Sequence, residues 1–215
     1  MTPLVRSACL TNYASVAREA GLDPIGMLKS VGLEPACLEN PDLKISLIAT
    51  GQLLEESAKR SGWEDFGLRL AATRQFSILG PLALVVREQA TLRPAVDMLM
   101  RYMRVHNEAL HVWLEEDDET ATIQFEFLGR GSSVRQPMEL SVGMVYRFFR
   151  HALPETWRAQ NVCFVHAAPK DTRTATRFFA RRVEYGASFN GITCLASDLE
   201  MPLSTYSRLD RYAQQ

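Results

Sequence analysis

Leu110-His-Val-Trp-Leu-Glu-Glu-Asp-Asp-Glu-Thr-Ala-Thr-Ile-Gln-Phe-Glu-Phe127 is the stretch whose reading decides the fold. Leu110, Val112 and Leu114 alternate with His111, Trp113 and Glu115. After a polar turn at Glu116 to Glu119, Ala121, Ile123, Phe125 and Phe127 alternate with Thr122, Gln124 and Glu126. A period of two puts the two sets on opposite faces of a strand, so the stretch predicts an antiparallel hairpin with one face buried.

Working outward, Pro137 opens a long apolar helix that runs to about Ala152, where Pro154 ends it. Asn161 to His166 reads as a strand, Asp171 caps a helix to Arg181, and Val183 to Tyr185 and Gly191 to Ala196 read as short strands. Before the hairpin, Phe76-Ser-Ile-Leu-Gly-Pro81 breaks the pattern, Pro81 to Glu88 restarts a helix, and Thr91 caps another over Leu92 to His106, with Pro94 tolerable in its first turn. The order from residue 77 is α-α-β-β-α-β-α-β-β. Such alternation predicts an α+β (mixed α/β) fold with a mixed or antiparallel sheet.

The first third reads as helical. Leu4 to Ala20 carries apolar residues at helical spacing, with Gly21 at the stop. Asp23-Pro24 opens a helix to about Val31, and Glu34-Pro35 a short turn through Leu38. Ser46 caps a longer helix to about Ser61, closed by Gly62, and Trp63 to Ala72 gives one more. The expected division is a helical subdomain over 1–74, packed on the sheet, an α/β subdomain over 75–202, and a linker over 203–215.

Composition narrows the function. The chain has 215 residues, 47% hydrophobic and 23% charged, with a formal net charge of −1. That suits a globular protein with a sizeable core and gives no global attraction to nucleic acid. Cys9, Cys37, Cys163 and Cys194 show neither C-x-x-C nor zinc spacing. With no apolar leader and no run of roughly 20 apolar residues, the reading is a cytoplasmic protein, without membrane contact, whose cysteines are small buried hydrophobes. No nucleophile elbow, Walker loop, dinucleotide fingerprint or H-E-x-x-H is present. His106, His111, His151 and His166 are scattered. Nothing positive supports an enzyme, a metal or a cofactor.

On the Pro137 helix, Met138, Val142, Val145, Phe149 and Ala152 form one stripe, with Met144, Phe148 and His151 beside it and Tyr146 alongside. The stripe suits plain core or a ligand wall; Arg147 and Arg150 read as solvated. Tyr102, His106 and Asn107 fall at a helix end before the first hairpin strand. Polar groups there suit a small-molecule pocket, and equally a helix end capped by its own side chains.

Taken together, the segments resemble the AraC-family regulators that carry an arabinose-binding-type N-terminal domain. The resemblance rests on Gly21-Leu-Asp-Pro24, Val31-Gly-Leu33, Ile45-Ser-Leu47 and Asp65-Phe-Gly-Leu-Arg-Leu-Ala71. It continues through Leu79-Gly-Pro-Leu82, Arg87-Glu-Gln-Ala-Thr-Leu92, Arg101-Tyr102 and His106-Asn-Glu-Ala109. Val162-Cys-Phe-Val-His-Ala-Ala-Pro169, Arg177-Phe-Phe179, Val183-Glu-Tyr-Gly186, Phe189-Asn-Gly-Ile192 and Ala196-Ser-Asp-Leu199 complete it. One departure is Phe179-Ala-Arg-Arg182, where relatives often carry Gly after the aromatic.

The resemblance implies a ligand-responsive bacterial transcription regulator, active in the cytoplasm. It implies a fatty-acid-like or amino-acid-like effector, a homodimer, and DNA contact only through a helix-turn-helix domain that the tail after Pro202 is too short to hold. The expected pocket lies between the hairpin, the Pro137 helix and the helical subdomain. From the pattern of residues, Phe76, Tyr102, His106, Asn107, Phe125, Phe127, Tyr146 and Asn190 are its candidate lining. Two rivals are a ligand-independent dimerisation or protein-interaction module and a small enzyme with an unrecognised site.

Overall fold

The computed structural model describes residues 3–128 and 135–203. The hairpin forms as its alternation requires. β3 (Leu110–Glu116) pairs antiparallel with β4 (Thr120–Phe127), Val112 opposite Phe125 and Leu114 opposite Ile123. Asp117 makes the turn, its Oδ1 accepting from the amides of Glu119 at 2.9 Å and Thr120 at 2.7 Å, the local bonding that favours Asp in turns. β4 pairs with β7 (Asn190–Leu195) and β7 with β5 (Asn161–Phe164), both antiparallel; β5 pairs in parallel with β6 (Glu184–Tyr185). The result is a mixed sheet ordered β3-β4-β7-β5-β6. With α5 (Pro81–Arg87), α6 (Leu92–His106), α7 (Arg135–Ala152) and α8 (Arg173–Phe179), the element order beyond residue 77 is the expected one, and the fold is α+β.

Four helices precede these: α1 (Tyr13–Glu19), α2 (Pro24–Ser30), α3 (Leu47–Ser61) and α4 (Phe66–Ala72). The Asp23 carboxylate accepts from the amides of Ile25 and Gly26, and Ser46 Oγ from Ala49. Each cap contributes about 1 kcal/mol. These helices enclose one core around Tyr13, Leu28, Leu53 and Phe66, while a second lies under the sheet around Val142, Phe148, Phe149 and Ile192. A fully buried Phe such as Phe149 contributes roughly 1.5–3 kcal/mol relative to exposure. α7 serves both cores. Val142, Val145 and Phe149 face the sheet core and Leu140 the helical one, which is why this helix is apolar nearly all round.

Several expectations need correction. Leu4 to Ala20 is not one helix. β1 (Leu4–Arg6) pairs antiparallel with β2 (Lys44–Ser46), a 3-10 turn spans Ser7–Leu10, and α1 starts only at Tyr13. The helical spacing misled because Val5, Ala8, Leu10, Tyr13 and Val16 are all buried although they are shared among a strand, a 3-10 turn and a helix, with a break at Asn12, whose φ is 63°. Thr91 makes no side-chain cap. Its place at the start of α6 is held by the chain near Pro202, where the Leu92 amide donates to Met201. α8 begins at Arg173, two residues after Asp171, whose carboxylate accepts from the Arg173 amide. Arg147 and Arg150 are half-buried tethers: Arg147 donates to the Ala72 carbonyl, and Arg150 to those of Glu155 and Trp157. The expected linker lies, from residue 204 on, outside the described residues.

The two cores meet where α4 crosses α7. A Cβ on Gly67 would stand 2.1 Å from the Gln136 carbonyl oxygen, and one on Gly143 2.9 Å from the Ala71 Cβ. Gln136 closes the joint, its Oε1 accepting from the Gly67 amide at 2.7 Å and its Nε2 donating to the Glu64 carbonyl at 2.8 Å.

Two substitutions test this account. In an ordinary helix Gly→Ala adds about 0.5–1 kcal/mol; here Gly67→Ala should reverse that sign and cost roughly 1–3 kcal/mol, the range for overpacking, in urea unfolding. Ala180, after α8, sits at φ 51°, a left-handed conformation that Gly tolerates better. Ala180→Gly should therefore stabilise the chain by about 1 kcal/mol. A lower melting temperature for Ala180→Gly would contradict the strain assigned there.

Candidate functional site

Where the two cores do not close on one another they leave a cavity of about 110 Å³. Val5, Arg6, Ala8 and Cys9 form one wall, from β1 and the turn after it. Arg74, Phe76, Ile78 and Leu79, in the segment after α4, form a second. Leu99, Met103 and His106 of α6, with Asn107, form a third. Leu110 and Phe125 of the hairpin, with Leu140, Ser141, Met144 and Val145 of α7, complete the lining. The walls are mainly apolar and the polar groups few, the usual make-up of a small-molecule site. Phe76 is set by stacking on Phe148, with ring centroids 4.4 Å apart.

β1 is tied into this wall over a long stretch of chain. The Glu108 amide donates to the Leu4 carbonyl, Val5 bridges Asn107, and the Glu108 carboxylate accepts from the Leu4 amide. Arg6 pairs with Asp42 and lies 3.0 Å from His106 Nδ1. A guanidinium only donates, so Nδ1 accepts and the His106 proton sits on Nε2. Burial, with Arg6 and Lys44 nearby, pulls His106 from its ordinary 6.5 down to about 4, so it is neutral at physiological pH. Burial also lowers Arg74, to about 10, which leaves it a cation at neutral pH. Its Nη2 donates to the Cys9 carbonyl. Burial pushes the Cys9 thiol up to about 12, against the pull of Arg74, so Cys9 stays a neutral thiol. All four cysteines are free thiols.

Of the residues singled out in sequence, Phe76, His106, Asn107 and Phe125 line this cavity; Tyr102, Phe127, Tyr146 and Asn190 do not. Tyr102 is 41% exposed on the outer side of α6, while Leu99 and Met103 of the same helix face inward. Phe127 stands opposite Leu110 at the far end of β4. Tyr146 is buried on another side of α7, donating to the Phe179 carbonyl at 2.6 Å among Trp157, Phe178 and Phe179. Asn190 clamps strand ends: its Oδ1 accepts from the Val165 amide and its Nδ2 donates to the Phe125 carbonyl. Asn107 lines the cavity, and its Oδ1 accepts from the amides of Ala109 and Leu110, which holds the chain leaving α6 and does not cap the carbonyls of that helix.

Arg74 and Arg6 were missed. Arg74 follows the last turn of α4, where a basic residue reads as an ordinary partner of the helix dipole, and Arg6 was placed in a helix that does not form. Among the described residues no group of His, Cys, Asp and Glu is placed to hold a metal ion. No helix there is long and apolar enough to cross a membrane.

Comparison with known proteins adds to this picture. Residues 21–203 match the arabinose-binding domain of AraC transcription regulators, N-terminal. The chain is 31% identical over 167 residues to the HTH-type transcriptional regulator VirS of Mycobacterium tuberculosis, covering 76% of this chain and 49% of that protein. It is 22% identical over 202 residues to the ornithine utilization regulator of Pseudomonas aeruginosa, covering 94% of this chain and 60% of that one. The crystal structure of transcriptional regulator CdpR from Pseudomonas aeruginosa is similar in fold, with a TM-score of 0.62 and 14% identity, over 88% of this chain and 57% of that one. The chain thus spans about half the length of the curated relatives it matches.

The state of His106 yields a pH signature. The unfolded chain takes up a proton near 6.5 and the folded chain only near 4, so this residue removes stability as pH falls from 6.5 towards 4. Glu139, raised to about 7 mainly by burial, acts in the opposite sense below pH 7. Comparing wild type with His106→Asn separates the two. The variant should lose less melting temperature than wild type between pH 6.5 and 4; parallel curves would mean that His106 is not held neutral by the fold.

Proposed function

The chain belongs to the AraC transcription regulators, as their N-terminal arabinose-binding domain, and from that premise we propose that it is the part of such a regulator that senses a small-molecule effector. The family is one of regulators rather than enzymes. The observation that carries the sensing reading is the cavity at the seam of the two cores, where a few polar groups converge on apolar walls.

The mechanism is a shift between two arrangements of the seam. An effector in the cavity touches β1 on one side and α6, the hairpin and α7 on the other. It therefore favours the arrangement in which these surfaces best enclose it, and shifts the population towards that state. In this reading residues 1–74 and 75–202 act as two subdomains whose mutual setting is the signal. That setting is passed to a second copy in a homodimer, because regulators of this kind read paired half-sites. DNA contact is made elsewhere in the regulator, which the net charge of −1 supports. Its place of work is the cytoplasm, with the DNA.

Thermal unfolding against amino acids (ornithine among them), short fatty acids and small aromatic acids tests the reading. At roughly 100 times its dissociation constant, an effector should stabilise the fold by about 2.7 kcal/mol, or ~5–10 °C for a chain of this size. Ser141→Leu, which fills the cavity from α7, should fold normally and lose most of that shift. A flat panel on protein shown by mass spectrometry to carry no bound compound would instead favour a ligand-independent dimerisation module.

A further inference from the structure

Resting on the sensor reading, one side chain narrows the class of effector. Arg74 is only 3% exposed and lies on the cavity wall. One nitrogen, Nη2, donates to the Cys9 carbonyl, while Nε has no hydrogen-bond partner among the described residues. No carboxylate among those residues pairs with it, and no Asp or Glu lines the cavity. The second cation there, Arg6, is already paired with Asp42. Neighbouring groups offer Arg74 no compensation: the Cys9 thiol is neutral and so is His106. A buried guanidinium without a counter-charge is costly, and a cavity beside it gives room for one.

We propose that the effector is a small monocarboxylate and that Arg74 receives its carboxylate group. A guanidinium is the side chain best matched to a planar carboxylate. The rest of the wall, including Phe76, Leu99, Met103, Phe125 and Val145, fits a short apolar remainder. About 110 Å³ is less than the ~150 Å³ of an engineered protein cavity that takes up benzene, so the space suits a short-chain acid of the size of propionate or butyrate rather than an aromatic acid or a nucleotide thioester.

Calorimetric titration of the 215-residue chain at neutral pH, with propionate and butyrate against propionamide and butyramide, decides the matter. Each amide keeps the shape of its acid and removes the charge. Wild type should prefer the acids by roughly tenfold or more, the value of one hydrogen bond to a charged group. Arg74→Met should bring that ratio to about one while leaving amide binding in place, and Arg74→Lys should keep the preference at weaker affinity. Amides binding wild type as tightly as acids would overturn the carboxylate assignment and leave the sensor reading intact. If neither acids nor amides bind, the assignment is overturned, and a flat wider panel would remove the sensor reading with it. Should Arg74→Met not fold, the acid-to-amide ratios of wild type and Arg74→Lys settle the question alone.

Discussion

The close crossing of α4 on α7 sets the geometry of everything else, because both cores borrow side chains from the same two helices. Gly67 and Gly143 let the backbones approach where any Cβ would collide, and Gln136 fills the backbone hydrogen bonds that such an approach leaves open. Two cores held at one crossing cannot close everywhere. Near the crossing they are in contact; away from it, between β1, the segment after α4 and the middle of α7, a gap stays. The cavity is thus a geometric result of joining two packed units through one helix pair, not a defect in the packing of either unit.

The charges along this seam are handled in two ways. Glu139 is buried beside Arg135 at 3.1 Å and His166 at 3.3 Å, so its charge is met within the chain. Burial outweighs the pull of Arg135 and raises its carboxyl to about 7, and burial likewise holds His166 below the usual histidine range. That cluster serves the joint itself. Arg74 has no carboxylate beside it among the described residues, and this contrast, more than burial alone, sets the two charges apart.

Much of the fold was legible in sequence because its signals are local. The hairpin alternation around Val112 and Phe125, Asp23-Pro24, Ser46 and the stop at Gly62 each act within a few residues. β1 and β2 were not legible: three-residue strands carry too little period, and the apolar positions from Val5 to Val16 mimic a helix while they are buried from a strand, a 3-10 turn and a short helix in turn. The cavity was legible only by half. Phe76, His106, Asn107 and Phe125 share the lining, but Tyr146 and Asn190 were set apart by which side of α7 or end of β7 they occupy. Arg74 left no trace in composition or period, since its isolation is a property of what surrounds it in space.

The attachment of β1 has a consequence for the order in which the molecule assembles. Arg6 meets His106 across 100 residues of chain, and the lining runs from Val5 to Val145. Closing so long a loop costs more entropy than forming any helix or the hairpin, so this contact is made late and loosens early. The cavity therefore does not exist in any partly folded intermediate that lacks the first strand. Its presence marks folding that has run to completion, and the same strand, the wall that depends most on distant contacts, marks the natural route by which the cavity opens to solvent.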